Sequence, residues 1–216
     1  MKSQKVGATA AQILDPGGSL WSGVSSQEVR LQPTPVDAIP SKYVHDTLDP
    51  RSVGKTQAVH VKSVHTGSEI FFRLEWTDET KDTDVSQPHL FPDAAAILFP
   101  MKGDAPLPLM GSKIQPVNAW YWRADEEKPF NVTAAGLGTT ERSRRSFLRA
   151  KGNWEGRKWR VVIGRPLKVE EQKDETIQLA VGDTVKVAFA VWEGRNKERH
   201  GAKSFSGHWY DLEITT

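Results

Sequence analysis

The sequence predicts a mainly β protein: an antiparallel β-sandwich with few short helices. Many short segments alternate apolar and polar residues, the period of two that a half-buried strand shows. Glycine and proline separate these segments, and no strand–helix–strand rhythm runs through the chain. The length of 216 residues fits one domain. Together these observations argue against a dinucleotide-binding fold.

The chain opens with small and polar residues, so we expect residues 1–25 to form an extended N-terminal arm. Residues 26–216 are then expected to form the single sandwich domain. Within that domain, residues 27–35 are predicted as a short strand that prolines end. Residues 38–55 are predicted to be irregular, and residues 140–152 to form a short helix or a charged loop.

The clearest element is a hairpin in which TGSE joins residues 56–65 to residues 70–79. Every second residue of 70–76 is apolar and is expected to face the core, whereas Arg73 and Glu75 are expected to face away from it. The tryptophans of AWYW are expected to share one face of a later strand in the same way. Further strands are predicted at 93–100, 117–125, 158–167, 183–194 and 207–215.

The composition excludes several classes of function. The net charge of +2 comes from 29 basic and 27 acidic residues, with no clustered basic face for a nucleic acid. No apolar run approaches the roughly 18 residues of a membrane span, so no membrane insertion is predicted. The absence of cysteine removes disulfides, thiolate metal sites and covalent c-type haem attachment.

Conventional catalytic motifs are also missing. The six histidines form neither an H-x-x-x-H nor an H-E-x-x-H pattern, and no serine lies in a G-x-S-x-G setting. The glycines of GLGTTE do not make a phosphate loop. We therefore predict no catalytic residue and interpret the chain as a protein that is not an enzyme by itself.

Two loops, about 90 residues apart, each carry one unusual side chain. Met110 follows PLPL, where prolines stiffen the approach, and precedes Gly111, which permits a sharp turn. Lys203 is the single charged group of GAKSFSG, and a buried lysine loses its proton more readily because burial disfavours the ammonium. Taken singly, a core methionine and a surface lysine are the commoner interpretations. Met101 competes with Met110 for any role of a fixed thioether.

A set of motifs in fixed order resembles one known family. It consists of DAAAILFP at 93–100, MG at 110–111, PVNAWYWRAD at 116–125, FAVWEG at 189–194 and GAKSFSGHWY at 201–210. These motifs resemble the haem b-binding gamma subunits of the type II dimethyl sulfoxide reductase family of periplasmic molybdenum oxidoreductases. That family includes the gamma subunits of chlorate reductase, selenate reductase, dimethyl sulfide dehydrogenase and ethylbenzene dehydrogenase. The resemblance covers roughly residues 25–215.

The resemblance implies one non-covalent haem b on a β-sandwich, with a methionine thioether and a lysine amine as axial ligands of the iron. The matching residues are Met110 and Lys203. Arg123, Lys113 and Arg199 are candidate partners of the haem propionates. No substrate chemistry is implied for the chain itself.

The resemblance also implies partners and a compartment. The chain would relay electrons between an iron–sulfur beta subunit and an external carrier such as a soluble cytochrome c. A molybdopterin alpha subunit would complete the heterotrimer, of the chlorate, selenate or dimethyl sulfide type. The expected compartment is the periplasm, with a signal removed or export together with a partner.

Two alternatives stay open at this point. Eight tryptophans in a β-rich chain also suit a carbohydrate-binding module, in which Trp120 and Trp122 would line an exposed platform. A structural partner subunit without a cofactor is the other alternative. It predicts that replacing Met110 or Lys203 with alanine would change little beyond local stability.

Overall fold

The computed structural model describes residues 1–39 and 41–216, without the side chain of His45. The described chain is mainly β with few short helices, as the sequence predicted: it has thirteen strands and two short α-helices. The helices are α1 (Ala10–Ile13) and α2 (Lys42–Thr47), and single 3₁₀ segments lie at Ser19–Gly23, Val36–Ala38, Leu107–Leu109, Glu170–Gln172 and Gly194–Asn196. The strands are β1 (Lys2–Lys5), β2 (Gln27–Pro33), β3 (Ala58–His65), β4 (Glu69–Thr77), β5 (Ala94–Pro100), β6 (Val117–Arg123), β7 (Phe130–Ala134), β8 (Glu141–Arg142), β9 (Arg149–Trp154), β10 (Lys158–Pro166), β11 (Thr184–Trp192), β12 (Ser204–Ser206) and β13 (Tyr210–Ile214).

The strands form two sheets joined by shared strands. Sheet I has the order β2-β3-β4-β10-β9, and β1 pairs in parallel with β3 and with β13. Sheet II has the order β8-β7-β6-β5-β11-β12, all antiparallel. Strand β11 pairs with β13 through its first half and with β5 through its second half, so it runs from one sheet into the other. Strand β2 does the same between β3 and β12.

The main core lies between the sheets and follows the alternation of the sequence. Phe72 and Trp76 share one face of β4, and Trp120 and Trp122 share one face of β6, as predicted; all four pack in this core. Phe72 meets Trp120 edge to face with ring centroids 5.8 Å apart, a geometry that aromatic pairs favour. Burial of large apolar side chains of this kind supplies roughly 1.5–3 kcal/mol for each residue.

The first 25 residues contribute to the sandwich. Strand β1 lies between β3 and β13, and Ile13 and Trp21 are buried against Phe71 on the outer face of β4. The indole nitrogen of Trp21 donates to the carbonyls of Ile13 and Asp15, each at 3.1 Å. The boundary that the sequence analysis placed at residue 25 stays a prediction.

Two local predictions were incomplete. The interval 38–55, predicted as irregular, contains α2, whose first turn is capped by the Ser41 hydroxyl accepting from Val44 N. The interval 140–152, predicted as a helix or charged loop, contains β8 and the start of β9, both on sheet edges. Charged residues on edge strands obscure the strand pattern because one face needs no apolar partner.

None of the helices in the described ranges is long and apolar enough to cross a membrane.

Candidate functional site

A second apolar surface covers the face of sheet II that points away from the main core. In β5 the side chains of Ala95, Ile97 and Phe99 enter the core, so the alternate side chains face outward. We call this surface the outer apolar cluster. Its buried members are Ala94, Ala96, Leu98, Leu107, Ala119, Phe130, Val132, Ala188, Ala190, Trp192 and Phe205, with Met110, Tyr121 and Trp209 packed against them.

The centre of this cluster is a floor of alanines from adjacent strands. Ala96 of β5 pairs with Ala190 of β11 on one side and with Tyr121 of β6 on the other. Ala190 in turn pairs with Phe205 of β12. The row therefore runs from one aromatic side chain across methyl groups to another. Ala96 and Ala190 are 2% and 0% exposed, so the chain itself covers this floor.

Met110 lies in the loop between β5 and β6 and packs against the edge of this cluster. Its backbone is left-handed, with φ 56° and ψ 43°, directly after the 3₁₀ segment Leu107–Leu109. Such a conformation costs a non-glycine residue about 1–2 kcal/mol. Hydrogen bonds hold it there, because Met110 N donates to Leu107 O at 3.0 Å and Met110 O accepts from Gly136 N at 3.1 Å.

The Met110 loop is fixed from two further directions. A Cβ on Gly111, whose φ is +83°, would lie 2.8 Å from the Gln115 carbonyl oxygen, so only glycine fits there. The indole nitrogen of Trp209 donates to the Ala105 carbonyl at 2.9 Å and ties the start of the loop to the chain after β12. The thioether therefore sits on a braced loop.

Lys203 immediately precedes β12 and is 8% exposed. Its ammonium lies over the ring of Trp192, a member of the outer apolar cluster, at 5.5 Å from the ring centre. Within residues 1–39 and 41–216, no hydrogen bond or ion pair reaches this ammonium, and burial lowers the pKa of Lys203 to about 8. The neutral amine is thus accessible near physiological pH, with its lone pair free to act as a donor.

Met110 and Lys203 therefore both contact the outer apolar cluster, which their separation in sequence did not reveal. Met101, the competing methionine, is half-buried and donates its backbone N–H to Pro116 O, and it belongs to none of the apolar clusters in the described chain. Contact with the outer apolar cluster favours Met110 over Met101 as the candidate thioether of this site.

The three candidate propionate partners differ in setting. Arg123 pairs with Ala94 and so points to the same face as the cluster, but its guanidinium binds Asp125 at 2.8 and 2.9 Å. Arg199 is buried, donates to Lys197 O and the Thr47 hydroxyl, and stacks on Phe91. Lys113 is exposed in the loop after Met110.

Several residues of this site were not predicted from the sequence as parts of it. Trp192 carries the contact with Lys203, and its indole nitrogen donates to His200 O at 3.1 Å, which fixes the ring. Tyr121 meets the rings of Phe130 and Trp192, each at 5.0 Å. The only sequence signal that could have identified these residues was the abundance of aromatic residues near the motifs of Met110 and Lys203.

Comparison with solved structures defines the class of fold. The chain is similar to a family 9 carbohydrate-binding module from Caldicellulosiruptor kristjanssonii, with a TM-score of 0.52 at 10% identity over 99% of this chain and 94% of that one. It is also similar to a Bacteroides uniformis protein provisionally described as carbohydrate-binding, with a TM-score of 0.55 at 12% identity over 98% and 97%. At such identities the likeness concerns the β-sandwich fold alone.

Sequence comparison gives the family. The family model described as ethylbenzene dehydrogenase matches residues 18–148 and 131–204. The chain belongs to this family and is a gamma subunit of the type II dimethyl sulfoxide reductase family.

Named relatives are subunits of oxidoreductases. The chain is 36% identical to the chlorate reductase gamma subunit of Ideonella dechloratans over 74% of its length and 66% of the relative's. It is 29% identical to the dimethylsulfide dehydrogenase gamma subunit of Rhodovulum sulfidophilum, over 93% and 75%. It is 36% identical to a Haloferax mediterranei protein provisionally named a respiratory nitrate reductase heme subunit, over 92% and 67%. The chain thus spans about two thirds to three quarters of these relatives.

Proposed function

We propose that this chain is an electron-transfer subunit that carries one non-covalent haem b, with Met110 and Lys203 as axial ligands of the iron. It relays electrons between an iron–sulfur subunit and an external carrier such as a soluble cytochrome c. The complex is a molybdenum oxidoreductase of the chlorate, selenate or dimethyl sulfide type. Membership of the gamma-subunit family supports this proposal, as does the relative named as a heme subunit.

The observation that carries the proposal is the setting of Lys203. A buried ammonium without a hydrogen-bond partner is strongly unfavourable unless some ligand uses it. Here the amine lies over Trp192 at one side of an apolar floor, and burial has already lowered its pKa to about 8. A lysine whose only role was solubility would extend into water.

The residues present fit a haem. The alanine floor suits a flat apolar macrocycle, and the aromatic side chains of Tyr121, Trp192 and Phe205 border it. A soft thioether and a neutral amine are both donors that iron accepts. When bound, the haem supplies one-electron redox chemistry, and two protein ligands leave its iron no open position for a substrate.

The chain's own residues set the conditions for that chemistry. Lys203 must release its proton before it can act as a donor, so proton release and cofactor binding are coupled. The loop fixed by Gly111 and Trp209 holds Met110 in place without any need to reorganise. Met110 and Lys203 each contact the outer apolar cluster, whose members are buried from water.

The partners and compartment follow from the family in the same proposal. We place the chain in a heterotrimer with an iron–sulfur beta subunit and a molybdopterin alpha subunit, in the periplasm. The complete absence of cysteine suits an oxidising compartment.

A carbohydrate-binding role lacks its key feature here. Trp120 and Trp122 are 0% and 6% exposed and pack in the main core, so they form no platform for a sugar. All eight tryptophans lie in the described ranges, and each is buried or half-buried. The likeness to carbohydrate-binding modules therefore extends to the fold and not to an aromatic sugar-binding face.

The test is an absorption spectrum of the purified chain, oxidised and then reduced, with acid–organic extraction of any pigment. The proposal expects an extractable b-type haem whose spectrum changes in Met110→Ala and in Lys203→Ala. Met101→Ala is the matched control and should leave the spectrum unchanged. A chain that is colourless and fails to take up added haem would overturn the proposal.

A further inference from the structure

A cavity of about 460 Å³ lies where β3 begins, β4 ends and the turn after β11 passes. Thr56, Trp76, Asp78, Glu193 and Asn196 are among its lining residues. Neither Met110 nor Lys203 lines it, so it is separate from the haem site proposed above.

Unsatisfied polar atoms concentrate on this cavity. Within the described ranges, eight buried side-chain nitrogen or oxygen atoms have no hydrogen-bond partner. Four of the eight belong to residues that line this one cavity, and two of these, Trp76 Nε1 and Asp78 Oδ2, interact with each other. Thr56 Oγ1 and Asn196 Nδ2 are left without a partner. Thr56 is 6% exposed and Asp78 is 2% exposed. Buried polar atoms of native proteins are normally paired, so the unpartnered atoms of Thr56 and Asn196 indicate a missing ligand.

Negative charge concentrates at the same place. The carboxylates of Asp78, Asp82, Asp93, Glu193 and Glu198 repel one another electrostatically. No ion pair to any of these five carboxylates is present in the described chain, and Lys55 is the cation whose charge reaches Glu193. A buried set of like charges with so little compensation is unfavourable without a counter-ion.

Two of these carboxylates are already held by N–H donors. Asp93 accepts from Gly194 N at 2.8 Å, Asp82 N at 2.7 Å and Trp159 Nε1 at 2.9 Å. Glu198 accepts from Gly54 N at 2.8 Å through one oxygen and from Glu193 N at 3.0 Å through the other. Burial raises the pKa of both to about 7, whereas these N–H donors favour the ionised form.

Other side chains have oxygen atoms free to bind. Asp78 uses Oδ1 to accept from Thr80 N at 3.1 Å, and its Oδ2, beside the Trp76 indole, keeps a lone pair for a further ligand. Glu193 is half-buried at the cavity wall. A half-turn of the Asn196 amide exchanges its nitrogen and oxygen, so this group can also present an oxygen atom.

We propose that this cavity binds a hard divalent cation of the Ca²⁺ type. Asp78 and Glu193 supply carboxylate ligands, Thr56 and Asn196 supply neutral oxygens, and water completes the shell. No three acidic or histidine side chains of the described chain are grouped closely enough to hold a metal by themselves. That arrangement disfavours Zn²⁺ but suits Ca²⁺, which takes six to eight oxygens of mixed type.

The site has a structural consequence. The cation would link the start of β3 and the end of β4 to the Glu193–Asn196 turn. The same turn continues through Glu198 to Lys203. Its occupation would therefore stabilise the segment that positions the lysine. The cation proposal stands on this cavity alone and is independent of whether haem binds.

Isothermal titration of CaCl₂ into the full chain, after removal of metals with EDTA, tests the proposal. We expect saturable binding with one Ca²⁺ for each chain and a rise in the melting temperature of several degrees. Glu193→Gln and Thr56→Val should each weaken binding by about tenfold or more. Glu155→Gln, which alters an exposed carboxylate outside this cavity, should bind Ca²⁺ like the wild type.

A second readout guards against loss of folding in the variants. In a haem-free preparation, Tb³⁺ should show emission on excitation of tryptophan, because Trp76 lines the cavity, and Ca²⁺ should quench that emission by displacement. The proposal is overturned if the EDTA-treated wild type gives neither heat with Ca²⁺ nor Ca²⁺-sensitive Tb³⁺ emission. Equal affinity of folded Glu193→Gln and wild type would also overturn it.

Discussion

Replacing Lys203 with leucine should stabilise the haem-free protein. Burial lowers the pKa of Lys203 from 10.5 to about 8, and its side chain is almost completely enclosed. At about 1.4 kcal/mol for each tenfold change in proton affinity, that difference corresponds to about 3 kcal/mol. Leucine fills a similar apolar space without a charge, so the variant should be more stable at pH 7 by about that amount.

The pH dependence fixes the sign of this effect. The folded-state pKa lies below the unfolded value, so the unfolded chain binds more protons between about pH 8 and pH 10.5. The free energy of unfolding of the wild type should therefore rise with pH across that window and be lowest at and below pH 8. The advantage of Lys203→Leu should shrink to less than about 1 kcal/mol at pH 10.

Equilibrium urea unfolding of the haem-free wild type and Lys203→Leu, at pH 7 and at pH 10, measures both quantities. Lys168→Leu is the matched control, because Lys168 is exposed and its loss should change stability by less than about 0.5 kcal/mol. The reasoning would be refuted by a Lys203→Leu variant that is no more stable than the wild type at pH 7. A stability difference that stays constant up to pH 10 would refute it equally.

Three other predictions concern the proposed haem site. Spectrophotometric titration with haemin should show that the affinity of the wild type for haemin falls about tenfold for each pH unit below about 8. The reason is that protonation of Lys203 competes with ligation. An affinity that does not change with pH would contradict this. Met110→Ala should change the reduced spectrum and lower the midpoint potential, whereas Met101→Ala should do neither, as potentiometry with spectra would show. Gly111→Ala should destabilise the fold by about 2–3 kcal/mol in urea unfolding because its Cβ meets backbone atoms at φ +83°. Gly182→Ala, at φ +91° with open space, should lose only about 1 kcal/mol, and similar losses in the two variants would count against the steric argument.

The strands that the sequence predicted are those whose two faces have different surroundings. In β4, Phe72 faces the main core and Arg73 faces outward, so the period of two is visible in the sequence. Strand β1 gave no such signal, because its identity depends on parallel pairing with β3 and β13, which lie far along the chain. Strands β8 and β9 were hidden by arginine and lysine, which edge strands tolerate.

The candidate site residues came from the sequence, whereas their surroundings did not. The motifs around Met110 and Lys203 could be matched to a family from sequence alone. The left-handed backbone of Met110 and the contact of Lys203 with Trp192 depend on how two distant loops meet sheet II, which no local pattern encodes. The acidic cavity was missed for the same reason, because Asp78 and Glu193 are brought together by the tertiary fold.

The two proposed ligands are unfavourable choices for the apo fold, and this is an argument for their role. A glycine at position 110 would adopt the left-handed backbone without the 1–2 kcal/mol that methionine loses there. An apolar residue in place of Lys203 would remove a buried, unpartnered charge. Met110 and Lys203 both contact the outer apolar cluster. Alanine or leucine at these positions would pack there equally well without these costs. Such local costs persist where binding offsets them, so their coincidence on one surface supports the proposal that a thioether and an amine hold a ligand there.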